Sequence, residues 1–292
     1  MALGYYKLTV PPECNGQTVR TFLRKHFGLS ARSMTLLKKE GMGITREHEL
    51  LYAKDIIHEG EIITLSLPED QNDIVPVPGE LNILFEDEYL LIVNKPANMP
   101  VHPTKIHQLD TLANILSYYQ SSRGERYTFR ALNRLDKDTS GIVIIAKDRI
   151  AYSLVQPTVQ KTYIAVCEGE LSEDGVIDLP ITLESGSKIK RCFREDGAEA
   201  VTHYHPVEHG NGHTMCEVWL ETGRTHQIRC HMSHIGHPLA GDDLYGGRLA
   251  LIGRQALHCQ TVELVHPVSK KTISIQTDIP SAFYDIIKHR PE

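Results

Sequence analysis

The chain has 292 residues, 41% hydrophobic and 23% charged, with a formal net charge of −6. This is the make-up of an ordinary globular protein with room for one large domain or two unequal ones. No apolar run approaches the ~20 residues that a membrane-spanning helix needs. The six cysteines are scattered with no Cys-x-x-Cys pair, and the first seven residues lack a basic stretch followed by an apolar core. We therefore expect reduced thiols in a cytoplasmic protein, with no secretory signal.

Residues 17–65 read as a small domain. Val19, Phe22, Leu23 and Phe27 are spaced for one face of a helix. Ser30 is a good N-cap for a second helix over Ala31 to about Lys39, with Gly41 as its stop. Between Gln17 and Glu40 stand six basic residues, Arg20, Arg24, Lys25, Arg32, Lys38 and Lys39, against the single acid Glu40. Arg20 and Arg24 are one turn apart and share a face. Taken alone, such a cluster is more often a solvated surface than a binding site. Short strands follow Gly41 and end in the Gly60–Leu65 segment. From Leu67 to Glu80, Pro68, Pro76, Pro78 and Gly79 among polar residues favour an extended connection. We place the boundary near residue 75, giving domains 1–75 and 76–292.

The second domain opens with a strand, an acidic turn and a second strand between Leu81 and Pro96. Further strands are expected at 142–147, 162–168, 201–206, 214–220, 257–264 and 271–276. Helices are expected near 109–120, 149–156, 226–234 and 281–289. There is no regular β-α-β alternation, so the expected class is α+β with a largely antiparallel mixed sheet, preceded by the small α/β N-terminal domain.

The stretch Asn133-Arg134-Leu135-Asp136-Lys137-Asp138-Thr139-Ser140-Gly141 carries the most chemistry. It sets an acid on a loop in front of the apolar run Ile142–Ala146, a buried strand. A carboxylate anchored on a rigid strand has the fixed position that a chemical role requires. Thr139 and Ser140 can bond nearby backbone, and Gly141 permits a tight turn.

This stretch resembles the central motif of the pseudouridine synthases that modify ribosomal and transfer RNA: His-Arg-Leu-Asp, two variable positions, then Thr-Ser-Gly. Asn133 stands where that family usually has His. Glu221-Thr222-Gly223-Arg224-Thr225-His226-Gln227-Ile228-Arg229 resembles a second motif of the family at seven consecutive positions. Asn94-Lys95-Pro96 with His102 resembles its opening motif, Lys161-Thr162-Tyr163 its Lys-x-Tyr motif, and residues 236–246 and 254–258 two later segments. The resemblance spans about residues 81–280. It implies an RNA-modifying isomerase without metal or cofactor, with Asp136 as nucleophile and Arg229 as its partner. It also implies Tyr163 as a stacking and proton-relaying group, and Arg134 as the residue that fills the gap left by an extruded base. An acid in a closed pocket needs such a cation, because desolvation alone raises a carboxylate's pKa, and arginine's planar fork suits a carboxylate. Leu29-Ser30-Ala31-Arg32-Ser33 on a two-helix basic unit resembles the S4-type RNA-binding domain. Arg24 and Lys25, with Arg224 and His226, complete the implied RNA-contacting set.

Three other readings compete. The histidines at 226, 231, 234 and 237 and at 203, 205, 209 and 213 invite a zinc site, but no His-Glu-x-x-His pattern supports one. A magnesium-dependent aspartyl-phosphate phosphatase is imitated by Asp136-Lys137-Asp138 and Gly241-Asp242-Asp243. In that family, however, the strand precedes the first Asp, whereas here it follows. A non-catalytic RNA-binding protein would have no reason to keep both Asp136 and Arg229.

Overall fold

A computed structural model describes residues 5–39, 42–67 and 73–288. The chain starts with strand β1 (Tyr5–Thr9), whose residues alternate exposed and buried. Sequence reasoning had not assigned this strand. Helix α1 (Val19–Thr21) is capped by Thr18, whose hydroxyl accepts from the Thr21 N–H at 3.2 Å. A regular first helix was expected, but α1 widens at Phe22–His26 into a π-helical turn, and Phe27 N–H reaches back to the Phe22 carbonyl at 3.0 Å. Gly28, at φ 92°, then reverses the chain. Val19, Phe22, Leu23 and Phe27 all face the core nonetheless.

Helix α2 (Ala31–Lys39) begins as the sequence suggests: Ser30 Oγ accepts from the Ser33 N–H at 3.0 Å. Its expected stop, Gly41, lies outside the described residues. Strands β2 (Ile44–Arg46), β3 (Glu49–Leu50) and β4 (Ile62–Ser66) complete an antiparallel sheet in the order β1-β4-β2-β3. The part of the expected linker at 68–72 also falls outside the described residues. Beyond it the chain is extended and pinned: Asn114 and Ser117 donate to the carbonyls of Val75 and Ile74, both at 2.8 Å.

The rest of the chain forms β5 (Ile83–Glu86), β6 (Leu90–Lys95), α3 (Leu112–Ser122), β7 (Ser140–Ala146), α4 (Arg149–Val155), β8 (Gln160–Glu168), β9 (Gly175–Asp178), β10 (Ile181–Leu183), β11 (Arg191–Phe193), β12 (Val201–Gly210), β13 (His213–Leu220), α5 (Gln227–His234), β14 (Leu257–Val265), β15 (Thr272–Gln276) and α6 (Ser281–Lys288). One nine-stranded sheet runs β5-β6-β7-β14-β8-β13-β12-β9, with β15 paired to β14. Among the described residues only β7 and β14 pair in parallel; the α+β class and mixed sheet are as expected. The short strands β9, β10 and β11 were not expected.

Strand β7 is buried along its whole length, which explains why it reads as a continuous apolar run and not as an alternation. Its residues join those of β6, β8, β13 and β14 in the main core. The N-terminal sheet has its own core, extended by Ile150 of α4. The two units are tied by polar contacts as well. Tyr6 donates to Asp148 Oδ2 at 2.7 Å, while Asp148 Oδ1 caps α4 by accepting from the N–H groups of Ile150 and Ala151 at 2.7 and 2.9 Å. The Tyr6 and Tyr89 rings lie 4.9 Å apart, and the Lys270 ammonium sits 4.8 Å from the centre of the Phe27 ring.

Candidate active site

The loop bearing Asp136 is held from both sides. Buried Asn133 donates to the Ile142 carbonyl at 2.8 Å and accepts from the Ile144 N–H at 2.9 Å, fastening the loop to β7. An amide does this with one donor and one acceptor, so the Asn in place of the family's usual His leaves the loop well supported. Thr139 N–H closes a turn onto the Asp136 carbonyl at 3.1 Å. On the other side, fully buried Lys95 at the end of β6 donates to the carbonyls of Pro96, Met99 and Lys137 at 2.8, 2.8 and 3.1 Å. Burial pushes its ammonium down to about 7, yet three carbonyl acceptors call for all three N–H groups of the charged form.

Gly141, at φ 115°, lets β7 lie directly on β14. A Cβ there would sit 2.3 Å from the Cys259 carbonyl oxygen and 2.5 Å from its nitrogen. The adjoining Ser140 hydroxyl meets His258 Nδ1 at 2.8 Å, and His258 Nε2 meets the Thr277 hydroxyl at 2.9 Å. Burial, reinforced by Arg254, holds the His258 imidazole down at about 4.

The partner arginine comes from α5. Gln227 fixes the start of that helix. Its amide oxygen accepts from Thr222 Oγ1 and the Arg224 N–H, both at 2.9 Å, while its amide nitrogen donates to the Val201 carbonyl at 2.9 Å and Thr202 Oγ1 at 3.1 Å. His226, just before the helix, takes a left-handed backbone at φ 57°, a conformation uncommon outside glycine. It holds the imidazole with Nδ1 3.1 Å from the Tyr245 hydroxyl and Nε2 3.7 Å from Asp136 Oδ2.

Arg229 is buried and serves two carboxylates. Its Nη1 donates to Asp136 Oδ2 at 3.0 Å; Nε and Nη2 grip Asp242 at 2.6 and 2.7 Å. The guanidinium also lies 5.1 Å from the centre of the Tyr245 ring. Despite the desolvation penalty, the two acids hold its pKa above the ordinary arginine value.

Asp136, Tyr163, Arg229, Arg134, Arg224 and His226 thus line a single cleft, although they come from distant parts of the chain. Tyr163 is buried on β8. Burial, then the neighbouring Cys259 and Asp136, hold its hydroxyl well above the ordinary tyrosine pKa. Arg134 and Arg224 are exposed at the cleft, and Arg224 Nε donates to the Glu199 carbonyl at 3.0 Å. Arg24 and Lys25 do not reach this cleft. Both are exposed on the N-terminal unit, where Arg24 lines a separate hollow with Arg20, Thr35 and Lys38.

Asp242 and Tyr245 are contacts that sequence reasoning missed. Their segment resembles a later family segment, and only the tertiary contact reveals its work. Asp242 is spent on Arg229 and Asp243 is exposed, so these two residues do not form the magnesium pair that the phosphatase reading needs. Among the described residues no three histidine, cysteine, aspartate or glutamate side chains gather as a metal would require. His231 has both ring nitrogens against Thr202 Oγ1 and the Leu179 carbonyl, at 2.9 and 2.8 Å.

An acid, an arginine and a buried tyrosine thus meet around one cleft in a mixed-sheet α+β fold. The family described as RNA pseudouridylate synthase matches residues 89–234. The uncharacterized RNA pseudouridine synthase YjbO of Bacillus subtilis is 37% identical over 89% of this chain and 95% of its own length. Ribosomal large subunit pseudouridine synthase D of Pseudomonas aeruginosa is 34% identical over 94% of this chain and 92% of its own. Among solved structures, human RNA pseudouridylate synthase domain containing 1 aligns with a TM-score of 0.57 at 27% identity, covering 70% of this chain and 86% of that one.

The chain belongs to the RNA pseudouridylate synthase family. It is an isomerase that converts uridine in RNA to pseudouridine. The phosphatase alternative is set aside. No helix among the described residues is long and apolar enough to cross a membrane.

Proposed function

We propose that Asp136 is the nucleophile of this isomerisation and that the enzyme acts in the cytoplasm on large-subunit ribosomal RNA. The 3.0 Å contact between Asp136 and Arg229 inside the cleft carries the reading of the site. The name of the Pseudomonas relative supports the choice of RNA.

The reaction breaks the N1–C1′ bond, turns the uracil and joins its C5 to C1′. C5 gives up a proton and N1 gains one, so no electrons leave the system. Asp136 holds the nucleotide while the glycosidic bond is open, and Arg229 supplies the countercharge in a site partly closed to water. Tyr163 stacks on the uracil and relays the C5 proton, giving up its own as it takes the other. Arg134 enters the gap left in the RNA stack when the uridine is flipped out, and Arg224 and His226 contact the flipped nucleotide at the rim.

The N-terminal unit, with a boundary near residue 75, acts as an S4-like RNA-binding domain through Arg24 and Lys25. The test is Asp136→Asn. Isomerisation should fall by a factor on the order of 10³ or more while RNA affinity stays near wild type. Mapping pseudouridine in RNA from cells with and without the gene identifies the target. Wild-type turnover in Asp136→Asn would refute the assignment.

A further inference from the structure

Tyr245 is buried and touches both residues of α5 and its approach that face Asp136. Its ring lies 5.1 Å from the Arg229 guanidinium, and the His226 imidazole meets it edge-on at 5.7 Å. Its hydroxyl oxygen accepts the backbone N–H of Arg191 at 2.7 Å and stands 3.1 Å from His226 Nδ1. Burial raises the phenol above its ordinary pKa, so the hydroxyl keeps a proton to give. Among the described residues, His226 Nδ1 is the acceptor it meets.

A neutral imidazole carries one proton, on one nitrogen or the other, and burial lowers the pKa of His226. With the proton on Nδ1, two N–H groups would converge on the phenol oxygen and the buried O–H would have no acceptor, which is costly. The bare Nε2 would also turn its lone pair toward the Asp136 carboxylate, 3.7 Å away. With the proton on Nε2, the bonds run in one direction. Arg191 N–H donates to the Tyr245 oxygen, Tyr245 O–H donates to His226 Nδ1, and Nε2–H faces Asp136 Oδ2. That oxygen is the one Arg229 Nη1 holds at 3.0 Å.

We propose that Tyr245 is a positioning residue for the isomerisation: it fixes His226 as the Nε2–H tautomer and so aims a second donor, beside Arg229, at Asp136 Oδ2. The 3.7 Å separation in the free protein is longer than a hydrogen bond, and the bond closes as the nucleotide fills the cleft. A donor there stabilises the charge that returns to the carboxylate when it is released from the nucleotide. His226 gives no proton away in this role, so the proton count of the reaction is unchanged. The proposal rests on reading Asp136 as the nucleophile, and the experiment separates the two.

Histidines labelled with heavy nitrogen report their tautomers through long-range proton–nitrogen correlations, recorded without RNA at about pH 8, above the ordinary imidazole pKa. The set lost in His226→Gln assigns His226. Wild type should show Nε2–H, and Tyr245→Phe, which keeps the ring against Arg229, should show both tautomers. In that variant, tritium release from total RNA labelled at uridine C5, taken from a strain lacking the gene, should fall about tenfold at saturating RNA. Retention of RNA on filters should be unchanged. In the His226→Gln background, whose amide supplies a donor with no tautomer to fix, Tyr245→Phe should lower turnover no further. An Nδ1–H ring in wild type, an unchanged tautomer or wild-type turnover in Tyr245→Phe, or a further tenfold loss in the double variant would each overturn the proposal. The wild-type spectrum alone decides the tautomer should a variant fail to fold. Wild-type tritium release by Asp136→Asn would instead overturn the nucleophile, with the tautomer still judged on its spectrum.

Discussion

Arg229 is the residue on which the site turns, and Asp242 decides how it points. The fully buried Asp242 side chain takes two of the guanidinium's donors and leaves Nη1 for Asp136. A bidentate charge-assisted pair fixes orientation as well as charge, which makes Asp242 a positioning residue. Asp242→Asn should lower turnover and, by leaving a buried cation half compensated, cost about 3–5 kcal/mol of stability. Urea denaturation alongside single-turnover kinetics measures both, and an unchanged denaturation midpoint would contradict this account. His258 gives a pH prediction. Its imidazole sits at about 4 in the folded protein, against an ordinary 6.5. Between those values the unfolded chain binds more protons, so stability rises with pH across that window and is lost as pH falls from 6.5 to 4. Replacing His258 with Gln should flatten this limb of the denaturation midpoint against pH; an identical acid limb in the variant would argue against it.

Among the elements, β7 does the most to place Asp136. It pairs in parallel with β14, with Ser140 and Gly141 set against His258 and Cys259. Parallel contact at that point aims the loop before it toward the end of β14, where Leu257 lines the cleft. Gly141 makes the approach possible, for two reasons that act together: a positive φ and no room for a Cβ. Gly141→Ala should therefore push the two strands apart and displace Asp136. The expected result is a lower melting temperature together with a loss of turnover that exceeds the loss of RNA affinity. A variant with wild-type melting and turnover would rule out this role. On the opposite side, Lys95 at the end of β6 ties the 96–99 turn to the loop through the Lys137 carbonyl. The loop is thus fastened at Asn133, at Gly141 and from below.

At the scale of the whole molecule, the question is how the two units keep one arrangement. Tyr6 and Asp148 form a buried hydrogen bond across the junction. Burial raises both groups' pKa values, and the same carboxylate caps α4. One carboxylate therefore joins the N-terminal sheet to the start of α4. Tyr6→Phe keeps the ring packing but removes the donor, and should cost about 1–3 kcal/mol. The change should be seen as a lower denaturant midpoint for the full chain, with turnover per folded molecule retained. A midpoint equal to wild type would mean the hydrogen bond contributes nothing to the junction.

Much of this was legible in the residues themselves. Ser30 caps α2 where expected because capping depends only on neighbours in sequence. The long strands and helices of the larger unit appear close to their expected places because burial imposes a period on the chain. Asp136, Arg229 and Tyr163, which meet at one cleft, are singled out by motif resemblance, which carries positional information that periodicity lacks. Other features were hidden: β9, β10 and β11 are too short to carry a period, and the π-helical widening at Phe22–His26 leaves the apolar spacing unaltered. Asp242 reads as turn sequence until Arg229 folds against it. The identity and order of the chemical groups were written along the chain. Which of them share a charge or border one cleft was decided by packing, because a buried ion pair and a close strand crossing are contacts between residues far apart in sequence.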